Sequence, residues 1–170
     1  MPNVEIKCTY PDLKRGKTCA ERLGARFDSV QHQIDTYFAT RSGRLKIREI
    51  EGKGAQLIPY LRPDTTGPKV SDYQMIPIPE VRAVKALLDE ILGIEVVVEK
   101  QRSIYLLQNV RIHLDEVKNL GSFLEFEAVY DRPEEEESER TKVNRLLSEF
   151  GVKPDSLLAG SYREMLRSGK

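Results

Sequence analysis

The chain has 170 residues, long enough to bury a substantial core, and its 32% charged and 39% hydrophobic residues are an ordinary globular balance. Lys plus Arg total 27 and Asp plus Glu total 27, so no overall field draws the chain to nucleic acid or an anionic membrane, and any strong electrostatics must be local. The first ten residues lack the basic-then-apolar pattern of a signal peptide and no apolar run could span a bilayer, so a cytoplasmic location is expected, with Cys8 and Cys19 reduced.

Residues 3–8 alternate polar and apolar as a half-buried strand does, and Pro11 stops them. Residues 12–23 read as a helix that Gly24 ends. Strand-like runs follow at 26–31, 33–40, 44–50, 55–62 and 69–76, with turn chemistry at Ser42-Gly43, at Gly52-Lys53-Gly54 and across 63–68. A second helix is predicted over 79–92, with Pro79 in its first turn and Gly93 past its end. Three more strands, 95–107, 110–117 and 122–130, are separated by Gln108-Asn109 and by a turn at 118–121. Helices at 133–150 and 156–167 complete the chain. About eight strands joined by short turns favour an α+β domain spanning residues 1–170, an antiparallel sheet with helices packed outside. The acidic run at 134–137 falls in the first turn of a helix that Pro133 opens, where carboxylates complement the helix dipole and face water.

Residues two apart on a strand share a face. Glu5 and Lys7 share one, with Val4 and Ile6 opposite. Arg44, Lys46 and Arg48 share another, and so do Tyr60 and Arg62, Lys69 and Ser71, and Lys100 and Arg102. Arg111, His113 and Asp115 line up likewise, as do Glu125 and Glu127. A solvated sheet face accounts for any one strand. The set is harder to explain so, because the signs segregate: cations dominate the middle strands, and carboxylates lie on the first and last. Like charges on neighbouring strands repel, so an inward row of Lys and Arg needs a polyanion to neutralise it. Carboxylates beside a phosphate need a hard cation between them. The pattern therefore asks for a polyphosphate and a divalent metal, with no Walker loop or Gly-rich strand-to-helix turn to hold the phosphates.

The opening Asn3-Val4-Glu5-Ile6-Lys7 resembles the E-x-E-x-K start of the CYTH superfamily, the triphosphate tunnel metalloenzymes. Further matches follow in order: Gln33-Ile34-Asp35-Thr36-Tyr37-Phe38, Gly43-Arg44-Leu45-Lys46-Ile47-Arg48, Tyr60-Leu61-Arg62, Gly67-Pro68-Lys69-Val70-Ser71-Asp72, Lys100-Gln101-Arg102, residues 111–115, and Leu120-Gly121-Ser122-Phe123-Leu124-Glu125-Phe126-Glu127. Residues 43–49 and 67–73 are most similar to the class IV adenylate cyclase branch. The resemblance implies a closed eight-stranded antiparallel β-tunnel with helices outside, Mg²⁺ or Mn²⁺ on Glu5, Glu125 and Glu127, and a triphosphate such as ATP as substrate. Its phosphate-handling positions match Lys7, Lys46, Arg48, Arg62, Lys69, Lys100 and Arg102; Arg44 and Arg111 share their faces. Lys100 and Asp115 are the candidates for the end where a nucleophile is deprotonated. Asn3 stands where the motif has its first glutamate, offering a carbonyl oxygen but no charge.

The leading expectation is conversion of ATP to cyclic AMP and pyrophosphate. The alternatives are hydrolysis of thiamine triphosphate, tripolyphosphate or a nucleotide, and a non-catalytic polyphosphate-binding module. A homodimer is what the cyclase branch suggests; no nucleic-acid or membrane partner is expected. His113 suits either a general base or a structural hydrogen bond between Arg111 and Asp115, the tunnel is expected to carry an excess of cations, and Asp115 has an ion pair with Arg111 as its structural role.

Overall fold

The computed structural model describes residues 3–61 and 69–168. Ten strands form one sheet: β1 (Asn3–Thr9), β2 (Arg26–Phe38), β3 (Arg44–Ile50), β4 (Gly54–Leu61), β5 (Lys69–Tyr73), β6 (Ile76–Ile78), β7 (Ile94–Leu107), β8 (Val110–Val117), β9 (Gly121–Val129) and β10 (Leu157–Leu158). The helices are α1 (Leu13–Arg22), α2 (Val81–Leu92), α3 (Glu136–Glu149) and α4 (Tyr162–Ser168). Eight strands close on themselves in the order β1-β5-β4-β3-β2-β7-β8-β9 and back to β1, every pairing antiparallel. The short β6 and β10 extend the edges of β4 and β1. The expected eight-stranded antiparallel tunnel with outer helices is the architecture found.

Local chemistry explains the joints. Asp12 caps α1, its carboxylate accepting from the Arg15 backbone N–H at 2.9 Å, and Gly24 follows the helix at φ +82°. Acidic residues fill the first turn of α3, where Arg140 pairs with Glu136, in keeping with the solvated reading of the acidic run.

Three boundaries differ from expectation. The runs 26–31 and 33–40 are one 13-residue strand with a bulge between Phe27 and Ser29, because no turn residue separates them. The run 69–76 is two short strands, β5 and β6. The helix at 156–167 starts late, at Tyr162, after a 3₁₀ turn and β10. Ser161 and Glu164 set that start: Glu164 accepts from both the Ser161 backbone N–H (2.7 Å) and its hydroxyl.

The barrel is apolar outside and charged inside. Val4 and Ile6 of β1, Ile112 and Leu114 of β8, and Leu124 and Phe126 of β9 point outward and are almost wholly buried under α1 and α3, with Phe126 edge-on to Phe150 at 5.0 Å. Burying each such side chain stabilises by about 1.5–3 kcal/mol. A second cluster, Tyr37, Val96, Val98, Val117, Phe123 and Tyr162, gathers where α4 meets the strands. α2 is laid on loosely: none of its residues is buried, and Leu87 and Ile91 stay exposed.

Candidate active site

The barrel encloses a cavity of about 460 Å³. Among the sequence-predicted residues, Glu5, Lys7, Lys46, Arg48, Lys100, Arg102, Arg111, Glu125 and Glu127 line it. Arg62 lies outside the described residues, and of Lys69 only the backbone is described, paired with Glu5 across the β1–β5 seam. Arg44 is buried near one end, bonded to Glu164 of α4 at 3.1 Å, and does not line the cavity. Asp115 sits just behind the wall, joined to the lining residue Arg102.

Ring order sets β1 and β9 across the tunnel from β2 and β3. On the β2–β3 side Asp35, 1% exposed, is the hub. Arg48 donates to it twice at 2.7 Å, Lys46 at 3.0 Å, and Lys100 of β7 at 3.3 Å. Burial works against ionising Asp35, but Arg48, Lys100 and Lys46 outweigh it and hold its carboxyl well below the usual range. Burial and Arg48 push Lys46 down to about 8, and burial and Arg102 drive Lys100 well below the ordinary lysine value.

On the other side Glu125 accepts from Lys7 at 3.0 Å and from Arg102 at 2.7 Å. Glu127 accepts from the Asn3 amide at 2.8 Å, from the Tyr73 hydroxyl at 3.1 Å and from Arg111 at 3.3 Å. Burial opposes both charges; Lys7 and Arg102 keep Glu125 ionised, and Arg111 and the Asn3 amide do the same for Glu127. His113 lies between the two glutamates, at 3.7 and 3.9 Å, and burial together with Arg102 favours its neutral form.

Two pairings depart from the sequence reading. Asp115 pairs with Arg102, at 2.7 and 2.6 Å, rather than with Arg111, because Arg102 lies directly opposite it on β7. Arg111 lies opposite Glu127 and joins that carboxylate. The cations are paired but not matched one for one: among the described residues Lys7, Lys46, Arg48, Lys100, Arg102 and Arg111 share the four carboxylates of Asp35, Asp115, Glu125 and Glu127.

Two sets of lining residues escape a reading based on charge. Tyr162 of α4 enters the cavity, its hydroxyl donating to Asp115 at 2.7 Å and its ring lying under the Lys7 ammonium at 4.0 Å. The Ser161-Tyr162-Arg163-Glu164 capping signature was the signal that could have found it. Gln31, Gln33 and Gln56 face inward by the same parity as the charged residues.

For a metal, the oxygen donors are Glu125 and Glu127 one pleat apart on β9, Glu5 opposite Glu127 on β1, and the buried Asn3 carbonyl oxygen, which has no hydrogen-bond partner; the His113 Nδ1, also without one, is the nitrogen beside them. No three acidic, His or Cys side chains among the described residues converge on a common point. In kind the set fits a hard cation such as Mg²⁺ or Mn²⁺, with Asn3 supplying the unpaired acceptor such an ion would take.

A closed antiparallel tunnel with paired cations and carboxylates on its inner wall is the arrangement of the CYTH fold. The CYTH domain model matches residues 1–162, and the chain belongs to that family. A Methanocaldococcus jannaschii protein named "Putative adenylate cyclase" is 25% identical over 180 residues, 97% of this chain and 98% of its own. A Pyrococcus horikoshii protein of known structure is 25% identical with a TM-score of 0.83, over 95% of this chain and 98% of that one. A "putative adenylyl cyclase" from Hippeastrum with a dominant triphosphatase activity shares the fold at 20% identity and a TM-score of 0.66, over 99% of this chain and 96% of that one.

Proposed function

We propose that this chain is a divalent-metal-dependent adenylate cyclase acting in the cytoplasm on ATP. The observation that carries this reading is the position of Lys100. It lies beside Gln33 across the β2–β7 ladder, 3.3 Å from Asp35 and on the same strand face as Arg102. In this reading a triphosphate drawn to Lys7, Lys46, Arg48 and Arg102 has its first phosphate and ribose near Lys100. Burial favours the neutral amine of Lys100, the form that accepts a proton. Lys100 takes the proton of the ribose 3′-hydroxyl, the 3′-oxygen forms a bond to the α-phosphorus, and the bond from that phosphorus to the bridging oxygen breaks, releasing pyrophosphate. Arg48 and Arg102, each held by a two-point carboxylate contact, arrive oriented for phosphate oxygens. Asp115 accepts from Arg102 and from Tyr162, so its work is to fix Arg102 rather than to take the substrate proton.

Glu5, Glu125 and Glu127, with the Asn3 carbonyl, would hold Mg²⁺ or Mn²⁺, which when bound supplies positive charge to phosphate oxygens. With those carboxylates engaged, Lys7 and Arg111 would be free for substrate, and Arg102 would keep only its contact with Asp115.

The test is chromatography of the products formed from ATP with Mn²⁺. Cyclic AMP and pyrophosphate are expected, and Lys100→Met should abolish both. Release of inorganic phosphate without cyclic AMP, or faster turnover of tripolyphosphate than of ATP, would make the protein a triphosphatase. Tight binding without turnover would make it a binding module.

A further inference from the structure

We infer that His113 is the residue by which the metal wall discriminates between divalent ions: its Nδ1 takes a place on the ion beside a Glu125 oxygen, so that the site prefers Mn²⁺ and Co²⁺ to Mg²⁺. The inference rests on the metal reading above and gives that ion a nitrogen ligand.

The strand registers leave His113 without the neighbours its sequence position offered. Arg111 lies opposite Glu127 and pairs with it, and Asp115 lies opposite Arg102 and accepts from it twice. His113 itself stands opposite Glu125 on β9 and Ile104 on β7. Its side chain is 4% exposed and lines the cavity, and Nδ1 is buried with no hydrogen-bond partner. An unmet buried acceptor is costly, so a ligand that engages it is favoured.

Distances indicate which kind of ligand. Nδ1 is 3.7 Å from Glu125 Oε2, and Nε2 is 3.9 Å from Glu127 Oε2. Both separations are too long for a hydrogen bond. Two donor atoms that share one ion, each about 2.1 Å from it, stand roughly 3–4 Å apart. The spacing between Nδ1 and Glu125 falls in that span. Nε2 then faces Glu127, as the second nitrogen of a metal-bound imidazole faces a carboxylate that steadies the ring. A hydrogen-bond donor could meet Nδ1 alone, but a cation satisfies the nitrogen and the carboxylate together. Asn3 Oδ1, another unpartnered acceptor of this wall, lies on β1, so open acceptors stand on both strands that flank the glutamates. Lys7 and Arg102 hold Glu125 Oε2 at 3.0 and 2.7 Å, and among the described residues no three acidic, His or Cys side chains yet converge. The ion therefore binds best when phosphate draws those two cations away. Mg²⁺ prefers oxygen ligands and keeps several waters, whereas Mn²⁺, and Co²⁺ more so, gains from an imidazole nitrogen.

Pulsed electron paramagnetic resonance of the wild-type protein with Mn²⁺ and tripolyphosphate, in a nitrogen-free buffer, reads the ligand directly. A ¹⁴N coupling of the size a bound imidazole gives is expected, and it should vanish in His113→Gln. In calorimetry with each ion alone, His113→Gln should weaken Mn²⁺ and Co²⁺ at least about tenfold and leave Mg²⁺ almost unchanged. The wild-type spectrum decides the matter even if the variant folds poorly. Bound Mn²⁺ without a nitrogen coupling, or equal losses for all three ions, overturns the assignment and leaves the metal reading in place. If the wild-type protein binds no Mn²⁺ with or without tripolyphosphate, both readings fall.

Discussion

The β2–β3 wall and the β1–β9 wall face each other across the same cavity, yet they solve opposite problems. On β2 and β3 one carboxylate, Asp35, stands among Lys46, Arg48 and the neighbouring Lys100. On β1 and β9 the glutamates outnumber the single cation of those strands, Lys7, and they draw Arg102 and Arg111 from β7 and β8. Each wall thus holds its charges with internal counter-ions standing where a ligand would. Asp35 occupies ground a phosphate could take, and Lys7, Arg102 and Arg111 occupy ground a metal ion could take. Buried pairs of this kind rarely add net stability, because desolvation offsets their attraction, but removing one member is strongly unfavourable. The tunnel wall is therefore charge-paired within itself, and metal and polyphosphate should favour each other's binding.

The sharpest break in this comparison is Glu125→Ala. Glu125 bridges Lys7 and Arg102. Its loss should cut metal-dependent turnover on the order of 100-fold or more, as removal of a charge-stabilising group in an active site does. The fold should survive, because Arg102 keeps its two-point contact with Asp115. Turnover at ordinary Mg²⁺ concentrations close to wild type, with an unchanged circular dichroism spectrum, would remove Glu125 from the metal wall.

On the opposite wall, Asp35→Asn leaves Lys46, Arg48 and Lys100 without their shared anion. Breaking a buried ion pair from one side costs about 3–5 kcal/mol, so the unliganded variant should unfold at lower urea. Tripolyphosphate should restore most of that loss, since it supplies the missing negative charge. Destabilisation that no anion relieves would mean Asp35 is only a structural carboxylate.

A smaller effect separates the walls by pH. In the unliganded tunnel Lys46 is pushed down to about 8, and a bound polyanion raises it. A group whose value is higher in the complex than in the free protein strengthens binding fully below its free value. That contribution fades as pH climbs from about 8 towards the bound value. Tripolyphosphate affinity should therefore fall as pH rises above about 8, with net proton uptake on binding, seen by calorimetry in two buffers. Lys46→Met should bind roughly tenfold more weakly at pH 7 and flatten this slope.

Much of this was legible in the sequence, and what was not shares one cause. Alternation alone placed Glu5, Lys46, Arg48, Lys100, Arg102, Glu125 and Glu127 on the faces that line the cavity. Parity gives a face but not a register, so it could not say that Arg102 stands opposite Asp115 and Arg111 opposite Glu127. It also overlooked the glutamines, because an uncharged inward side chain leaves no charge pattern to read. Tyr162 was hidden for a different reason: its helix reaches the tunnel from the far end of the chain, and only the capping signature at Ser161 marks where it turns inward.

The mildest test concerns Asn3, where this chain departs from the glutamate of the motif. Asn3 lies on β1 two residues from Glu5, and its amide donates to Glu127 while its carbonyl oxygen has no partner. Asn3→Glu would replace that donor with a second negative charge beside Glu127. Without metal the new pair repels, so one of the two carboxyls should take up a proton more readily and the unliganded protein should lose a little stability. With metal the sign reverses, because a hard cation gains an anionic oxygen in place of a neutral one. The variant should bind Mn²⁺ about tenfold more tightly, and binding should release protons that the wild type does not release. Both changes belong to the β1–β9 wall alone. Tripolyphosphate binding without metal should weaken slightly, since the cavity becomes more negative, which ties the effect to the metal side of the tunnel. Unaltered Mn²⁺ affinity and proton release in calorimetry would place position 3 outside the site, and the unpaired carbonyl of Asn3 would then be a feature of the wall rather than of a metal's coordination.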